Sequence, residues 1–99
     1  MTNFEKKMHA FTRAKANYDL RYLEMVEQGQ DEAEVDAFCD AQTEAMDALL
    51  LTPAEEAWQL NHKVRIIVAE DAVNNYHLAK PILALLADDI RRFTMGGRA

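Results

Sequence analysis

The residues of this chain that could do chemistry are three histidines, one cysteine and several neighbouring pairs of acids. No two of His9, His62 and His77 lie four residues apart, the spacing at which two helical histidines hold a metal. Cys39 is the only thiol, and the chain contains no serine. These residue types favour neither a metal site nor nucleophilic catalysis.

Two other groups of residues deserve the same test. Glu70, Asn74 and His77 share one side of a helix, if the helix extends that far, and could bind a divalent metal. Because an asparagine is a weak replacement for a second histidine or carboxylate, a polar patch at a helix end explains the trio better. Adjacent acids on a helix point about 100° apart and do not converge on a substrate. These acid pairs therefore favour solvated helix ends: Glu55-Glu56, Glu70-Asp71 and Asp88-Asp89. We predict no catalytic residue, no cofactor, no metal and no enzymatic activity.

Charge is distributed unevenly along the sequence. No Lys or Arg occurs between Tyr22 and His62, a stretch that contains 11 of the 17 acids, while the net charge of the whole chain is −6. The segments on either side are mildly basic. Four acids of the central stretch fall on one side of a predicted helix, and we call them the acidic ridge: Asp36, Asp40, Glu44 and Asp47. A ridge of this kind offers a surface to a cationic partner.

The elements that position these residues are predicted to be helices. Gly and Pro together number five, and such a scarcity of turn formers favours a few long helices. The sequence predicts an all-α fold, a bundle of three to four helices built on a long helical hairpin, in a single domain spanning residues 1–99. The predicted helices span residues 3–28, 31–51, 53–76 and 81–94.

The first predicted helix begins with a capping box, Thr2 to Glu5, and ends at Gly29. Its apolar residues recur at steps of three and four and predict one buried side: Phe4, Met8, Phe11, Tyr18, Tyr22 and Met25. The second predicted helix begins with a capping box from Asp31 to Glu34. Its apolar face lies opposite the acidic ridge and comprises Val35, Phe38, Cys39, Ala45, Met46, Leu49 and Leu50.

The third predicted helix begins with Thr52 as N-cap, Pro53 as first residue and Glu55 completing a capping box. Its apolar residues fall on two sides. One side carries Ala57, Leu60, Val64, Ile67 and Val68, and the other carries Trp58, Ile66, Ala69, Val73 and Tyr76. A helix that is apolar on two sides is normally buried on both, so this helix is expected to be central or to form a subunit interface. Asp71, in line with Leu60, Val64 and Ile67, is either partly buried with a partner or marks where that side reaches water.

A break or kink is predicted between Asn75 and Lys80, because Pro81 disfavours helical geometry at the residue before it. A fourth helix follows with the apolar residues Ile82, Leu83, Leu85, Leu86, Ile90 and Phe93, and Gly96-Gly97 is predicted to end it.

The segment from Leu49 to Ala54 ends a leucine-rich helix in Thr-Pro-Ala, and a lysine, Lys63, follows about ten residues later. This pattern, over residues 49–70, resembles small uncharacterised all-helical proteins of bacterial and prophage genomes. The chain departs from it at Glu55 to Trp58, where small and hydroxyl residues are common. The resemblance implies a bacterial accessory protein and transfers no activity and no site residue.

The expected function is a non-enzymatic structural or protein-interaction module that self-associates through helical apolar faces, as a dimer in preference to a monomer. Leu20 and Leu23, which lie off the main stripe of the first helix, favour the same conclusion. The alternative is a small phage-type acidic inhibitor that binds a basic protein through the acidic ridge. The ridge has two other interpretations: it is a solvated face, or it contacts a second copy of the chain. In the second copy the basic candidates are Lys6, Arg13, Lys63, Arg65, Arg91 and Arg92. The predicted interaction residues are Asp36, Asp40, Glu44, Asp47, Trp58, Ile66, Val73 and Tyr76.

The compartment and the excluded partners also follow from composition. The net charge of −6 argues against nucleic acid and anionic membranes as partners. A lone cysteine suits a reducing compartment, and no signal-type segment begins the sequence, so a cytoplasmic protein is expected.

Overall fold

The computed structural model describes residues 1–29, 32–74 and 76–94. It contains four helices, α1 (Asn3–Gln28), α2 (Glu32–Leu50), α3 (Ala57–Ala69) and α4 (Ala79–Thr94). No β-strand occurs within these described ranges, so the all-α prediction is confirmed. The chain divides into two compact units, Met1–Leu49 and Leu50–Ala99, and each is described by itself. The single domain spanning residues 1–99 stays a prediction.

The ends of α1 are set by the residues that the sequence indicates. The Thr2 hydroxyl accepts from the Glu5 backbone N–H at 3.1 Å, and the Glu5 carboxylate accepts from the Thr2 N–H at 3.2 Å. This reciprocal pair satisfies two of the N–H groups that a helix start leaves free. Gly29 ends the helix in the left-handed region, with φ 68°, and its N–H donates to the carbonyl of Met25 at 2.9 Å. The predicted span of 3–28 is confirmed.

Helices α1 and α2 form the predicted hairpin, which makes up the first unit. Phe4 and Phe11 are buried on α1, and Val35 and Met46 are buried on α2. The Arg21 guanidinium of α1 lies 5.1 Å from the centre of a ring on α2, that of Phe38, which is a favourable cation–π distance. Tyr22 is an exception to the predicted stripe, because its side chain is exposed. The capping box predicted at Asp31 lies outside the described residues.

Helix α3 begins at Ala57, so the predicted start at Pro53 is wrong. The buried Gln59 side chain explains the difference, because its Oε1 accepts from the backbone N–H groups of Glu55 at 2.7 Å and Glu56 at 3.3 Å. The loop of residues 51–56 thus has its polar groups bonded by side chains instead of by a first helical turn. Glu56 as N-cap and Gln59 three residues later form a capping box, a second local start signal that replaces the one at Thr52-Pro53.

Helix α3 also ends earlier than predicted, at Ala69 instead of Tyr76. Asp71 adopts a left-handed conformation with φ 52°. The N–H of Ala72 donates to the carbonyl of Ile67 at 2.9 Å, and that of Asp71 donates to Val68 at 3.3 Å. These two bonds define a Schellman motif, which satisfies the last carbonyls of a helix. Here Asp71, which is exposed, occupies the position that glycine usually takes.

Helix α4 begins at Ala79, two residues before the predicted start. Pro81 lies in its first turn, where the missing N–H of proline costs no helical hydrogen bond. The non-helical stretch before α4 is longer than the predicted break, since α3 has already ended at Ala69. Asn75, Gly96 and Gly97, three residues that the predictions name, lie outside the described residues.

Candidate interaction surfaces

The acidic ridge lies on the solvent side of α2. Asp36, Asp40 and Glu44 are exposed, and Asp47 is half-buried. Their spacing of four, four and three residues places them along one helical side. Within the described ranges, no ion pair involves Asp36, Asp40 or Glu44. The predicted apolar face of α2 is confirmed, because none of its seven residues is exposed.

Helix α3 is buried on one side and not on two. Its buried residues are Gln59, Lys63, Ile66 and Ile67, whose spacing defines a single face. Trp58, Val64 and Val68 are exposed. The prediction of a helix covered on both sides is therefore wrong for this chain taken alone.

The remaining predicted interaction residues do not lie together on one surface. Ile66 is buried and offers no surface. Val73 is exposed and Tyr76 half-buried, but both follow the end of α3 and do not extend the face of Trp58. The Tyr76 ring lies 4.5 Å from the ring of His77, measured between centroids. The indole N–H of Trp58 donates to the Glu56 carboxylate.

The second unit contains a buried ion pair that the sequence did not reveal. The ammonium of Lys63 on α3 lies 2.5 Å from Oδ2 of Asp89 on α4, and both side chains are 0% exposed. Two charges removed from water each carry a large desolvation cost, which their attraction offsets only with good geometry and further hydrogen bonds. The Lys63–Asp89 pair makes such further hydrogen bonds.

The pair is bonded to the loop that precedes α3. Lys63 Nζ donates to the carbonyl of Thr52 at 3.0 Å, and Asp89 Oδ1 accepts from the N–H of Ala54 at 3.3 Å. Asp89 also receives a bond from the Arg92 guanidinium. Together with Gln59, the pair bonds backbone groups of Thr52, Ala54, Glu55 and Glu56. We call Gln59, Lys63 and Asp89 the loop clamp.

The loop clamp corrects two predictions. The sequence predicts that Lys63 is available to the acidic ridge of a second copy, but its ammonium is fully buried. The sequence predicts a solvated helix end for Asp89, but this side chain is also fully buried. With both charged groups enclosed and paired, the arrangement holds a loop in place and presents no reactive atom to a substrate.

A signal for the clamp was present in the sequence. Asp89 lies seven residues after Ile82 and four before Phe93, which are positions of the apolar stripe of α4. Lys63 lies three and four residues before Ile66 and Ile67. A charged residue within an apolar stripe predicts a buried, paired charge. Two such residues of opposite sign on neighbouring helices would have indicated this pair.

A further surface lies on the second half of α1. Leu20 is 53% exposed, Leu23 51% and Val26 63%, and Tyr22 close by is also exposed. Four large apolar side chains within seven residues are far more than the scattered single residues normal for a protein surface. Leu20 and Leu23 were predicted from the sequence to lie off the buried stripe, and their exposure confirms that placement.

Burial changes the ionisation of two side chains. Burial raises the pKa of Tyr18, and the neighbouring Cys39 raises that pKa further. Burial also lowers the pKa of His62, and the positive charge of Arg65 adds to that effect. Cys39 is a free, half-buried thiol. These shifts accompany packing in the two units and do not gather into a reactive cluster.

Metal binding finds no support in the geometry. Among the described residues, no group of three or more His, Cys, Asp and Glu is placed to hold a metal ion. Glu70, Asn74 and His77 do not share a helical side, because α3 ends before all three. No helix in the described ranges has an apolar stretch long enough to cross a bilayer.

No protein-family model matches the chain, and neither a curated protein nor a solved structure is significantly similar to it.

Proposed function

We propose that this chain is a non-enzymatic structural or protein-interaction module that self-associates through helical apolar faces, as a dimer. The observation that carries the proposal is the exposed apolar group on α1, Leu20, Tyr22, Leu23 and Val26. Exposed apolar area on this scale costs free energy in water, and covering it on association recovers that free energy at about 25 cal/mol per Å². A cytoplasmic, bacterial accessory protein remains the proposed setting.

The test is the mass of the protein in solution, measured by size-exclusion chromatography with light scattering. We expect a dimer, and we expect Leu23→Glu to convert it to a monomer, because the substitution places a charge in the contact. Leu83→Glu is the matched control, since Leu83 is a similarly exposed leucine on α4. A wild-type protein that stays monomeric at high concentration would refute self-association.

The acidic ridge supports a second candidate function, an inhibitor that binds a basic protein. Its support is that Asp36, Asp40 and Glu44 are exposed and carry no ion pair within the described residues. A stretch without Lys or Arg cannot neutralise them locally, so their field extends into solvent.

The discriminating experiment is retention of a stoichiometric basic protein on the immobilised chain. We expect Asp36→Asn, Asp40→Asn and Glu44→Gln together to abolish retention if the ridge binds. Asp19→Asn, Glu55→Gln and Asp71→Asn together remove the same charge from exposed positions elsewhere. Equal loss in both triple variants would contradict a ridge-specific contact, because net charge alone would then explain the binding.

A further inference from the structure

A second regular stripe runs along the exposed side of α1. Its residues recur at alternating steps of three and four: Lys6, His9, Arg13, Ala16, Leu20, Leu23 and Glu27. Every one of them is exposed. This is the spacing of a coiled-coil seam, and it is separate from the buried stripe of Phe4, Phe11 and Tyr18.

Charge along this stripe is segregated by sign. The first three residues are basic or can become so, the middle three are small or apolar, and the last, Glu27, is acidic. Neither Arg13 nor Glu27 forms an ion pair within the described part of the chain. A helix that is basic at one end and acidic at the other complements a copy of itself running in the opposite direction.

We infer that the partner of this stripe is a second copy of the chain, with the two α1 helices packed antiparallel. The inference rests on the proposed self-association and assigns it an orientation and a centre, the two exposed leucines; the other two exposed apolar residues of α1 flank this contact. Leu20 and Leu23 of one copy lie against Leu23 and Leu20 of the other, and Arg13 lies within about one helical turn, roughly 5 Å, of the other copy's Glu27. The other two basic residues of the stripe extend past the end of the second copy's α1, so Arg13 carries the charge match. Antiparallel helix dipoles add a favourable contribution.

Alternative orientations and partners fit the stripe less well. A parallel pair would place Arg13 against Arg13 and Glu27 against Glu27, so both ends would repel. A partner of a single charge sign would be attracted at one end of the stripe and repelled at the other. Only a surface with the reversed charge order satisfies both ends, and a second copy supplies that order by symmetry.

Charge reversal tests the pairing through the dissociation constant of the dimer, measured by analytical ultracentrifugation at low salt. We expect Arg13→Glu and Glu27→Arg each to weaken the homodimer by about tenfold or more, since two attractive pairs become repulsive. An equimolar mixture of the two variants should form a heterodimer of near wild-type affinity, and the double variant should also recover. Lys80→Glu makes the same charge change at an exposed position of α4 and should leave the dissociation constant unchanged.

Cross-linking tests the orientation. In a Cys39→Ala background, Leu23→Cys should be joined to its counterpart by a short bismaleimide. Arg13→Cys should not be joined, because the two positions are about 25 Å apart along an antiparallel pair at 1.5 Å per residue. Efficient linkage through Arg13→Cys would overturn the antiparallel arrangement.

The outcomes separate this inference from the function on which it rests. A monomeric wild type refutes both. A wild-type dimer that is indifferent to both charge reversals overturns the inference, while self-association through another face survives.

Discussion

At the residue scale, the best-defined feature is the buried pair of Lys63 and Asp89. Both side chains are fully enclosed, yet each is also bonded to the loop before α3. The pair therefore fixes a backbone conformation, in addition to cancelling its own charges. This explains why the Thr-Pro-Ala segment is not helical although its residue types indicate a helix start. The spacing of Thr52 and Lys63 therefore has a structural role, because it brings the ammonium to the Thr52 carbonyl.

Removing one partner of the pair should be more harmful than removing both. We expect Lys63→Met to lower the free energy of unfolding by about 3–5 kcal/mol, because Asp89 would remain buried without its main counter-charge. The double variant Lys63→Met, Asp89→Leu should lose clearly less than the sum of the two single variants. Urea unfolding measures all three. A Lys63→Met protein as stable as the wild type would contradict the buried pair.

His62 gives the folded state a pH dependence. Burial, and then the charge of Arg65, lowers its pKa below the ordinary 6.5. The folded state therefore binds a proton at His62 less readily than the unfolded state does. His62 does not lower the free energy of unfolding above about pH 6.5, but it lowers that free energy progressively as the pH falls from there to the folded pKa.

Urea unfolding of His62→Gln across this pH range should show a flatter profile than the wild type, with the difference confined to pH values below about 6.5. A wild-type slope in His62→Gln would assign the pH dependence to other groups.

At the element scale, the ends of the helices separate what local sequence determines from what the fold determines. The ends of α1 were predictable, because Thr2, Glu5 and Gly29 act on their immediate neighbours. The ends of α3 were not. Its start has two competing local signals, Thr52-Pro53 and the box of Glu56 with Gln59. The loop between them is bonded to Asp89, which lies far away in sequence. Its end depends on Asp71 adopting a conformation that residue type only weakly indicates.

The left-handed conformation at the end of α3 can be tested by substitution. Asp71 has φ 52°, a conformation that costs non-glycine residues about 1 kcal/mol or more. Asp71→Gly should therefore raise the free energy of unfolding by up to about 1 kcal/mol, whereas Asp71→Ala should not.

Gly29→Ala is the opposite control on α1. Gly29 also has positive φ, and no atom lies within 4 Å of an added Cβ, so only backbone strain should lower stability, by about 1 kcal/mol. Thermal or urea unfolding of the three variants provides the comparison. A destabilised Asp71→Gly would contradict the Schellman assignment.

The apolar residues of α3 illustrate a second limit of sequence patterns. Val64 and Val68 share the helix with Ile66 and Ile67, and hydrophobicity alone cannot tell which pair faces the core. The polar Gln59 and Lys63 occupy the core side, because each finds backbone partners there. Hydrophobic pattern predicted the faces of α1 and α2 well, where no buried charge competes.

At the scale of the whole molecule, the net charge opposes association of two copies, whereas the exposed stripe of α1 favours it. The acidic ridge of α2 raises the electrostatic cost of bringing two copies of a −6 chain together. The exposed stripe of α1 offers a route that combines apolar contact with opposite charges at its two ends. The sequence predicted Leu20 and Leu23 as extra apolar residues, but their exposure required the structure.

The most direct test of self-association is sedimentation equilibrium of the wild-type chain beside Leu23→Glu, at low salt and at about 1 M salt, where the Debye length is about 3 Å. We expect twice the chain mass for the wild type at both salt concentrations, because apolar contact dominates, and a single chain mass for Leu23→Glu. A wild type of single chain mass under both conditions, or a dimer that Leu23→Glu leaves intact, would contradict it.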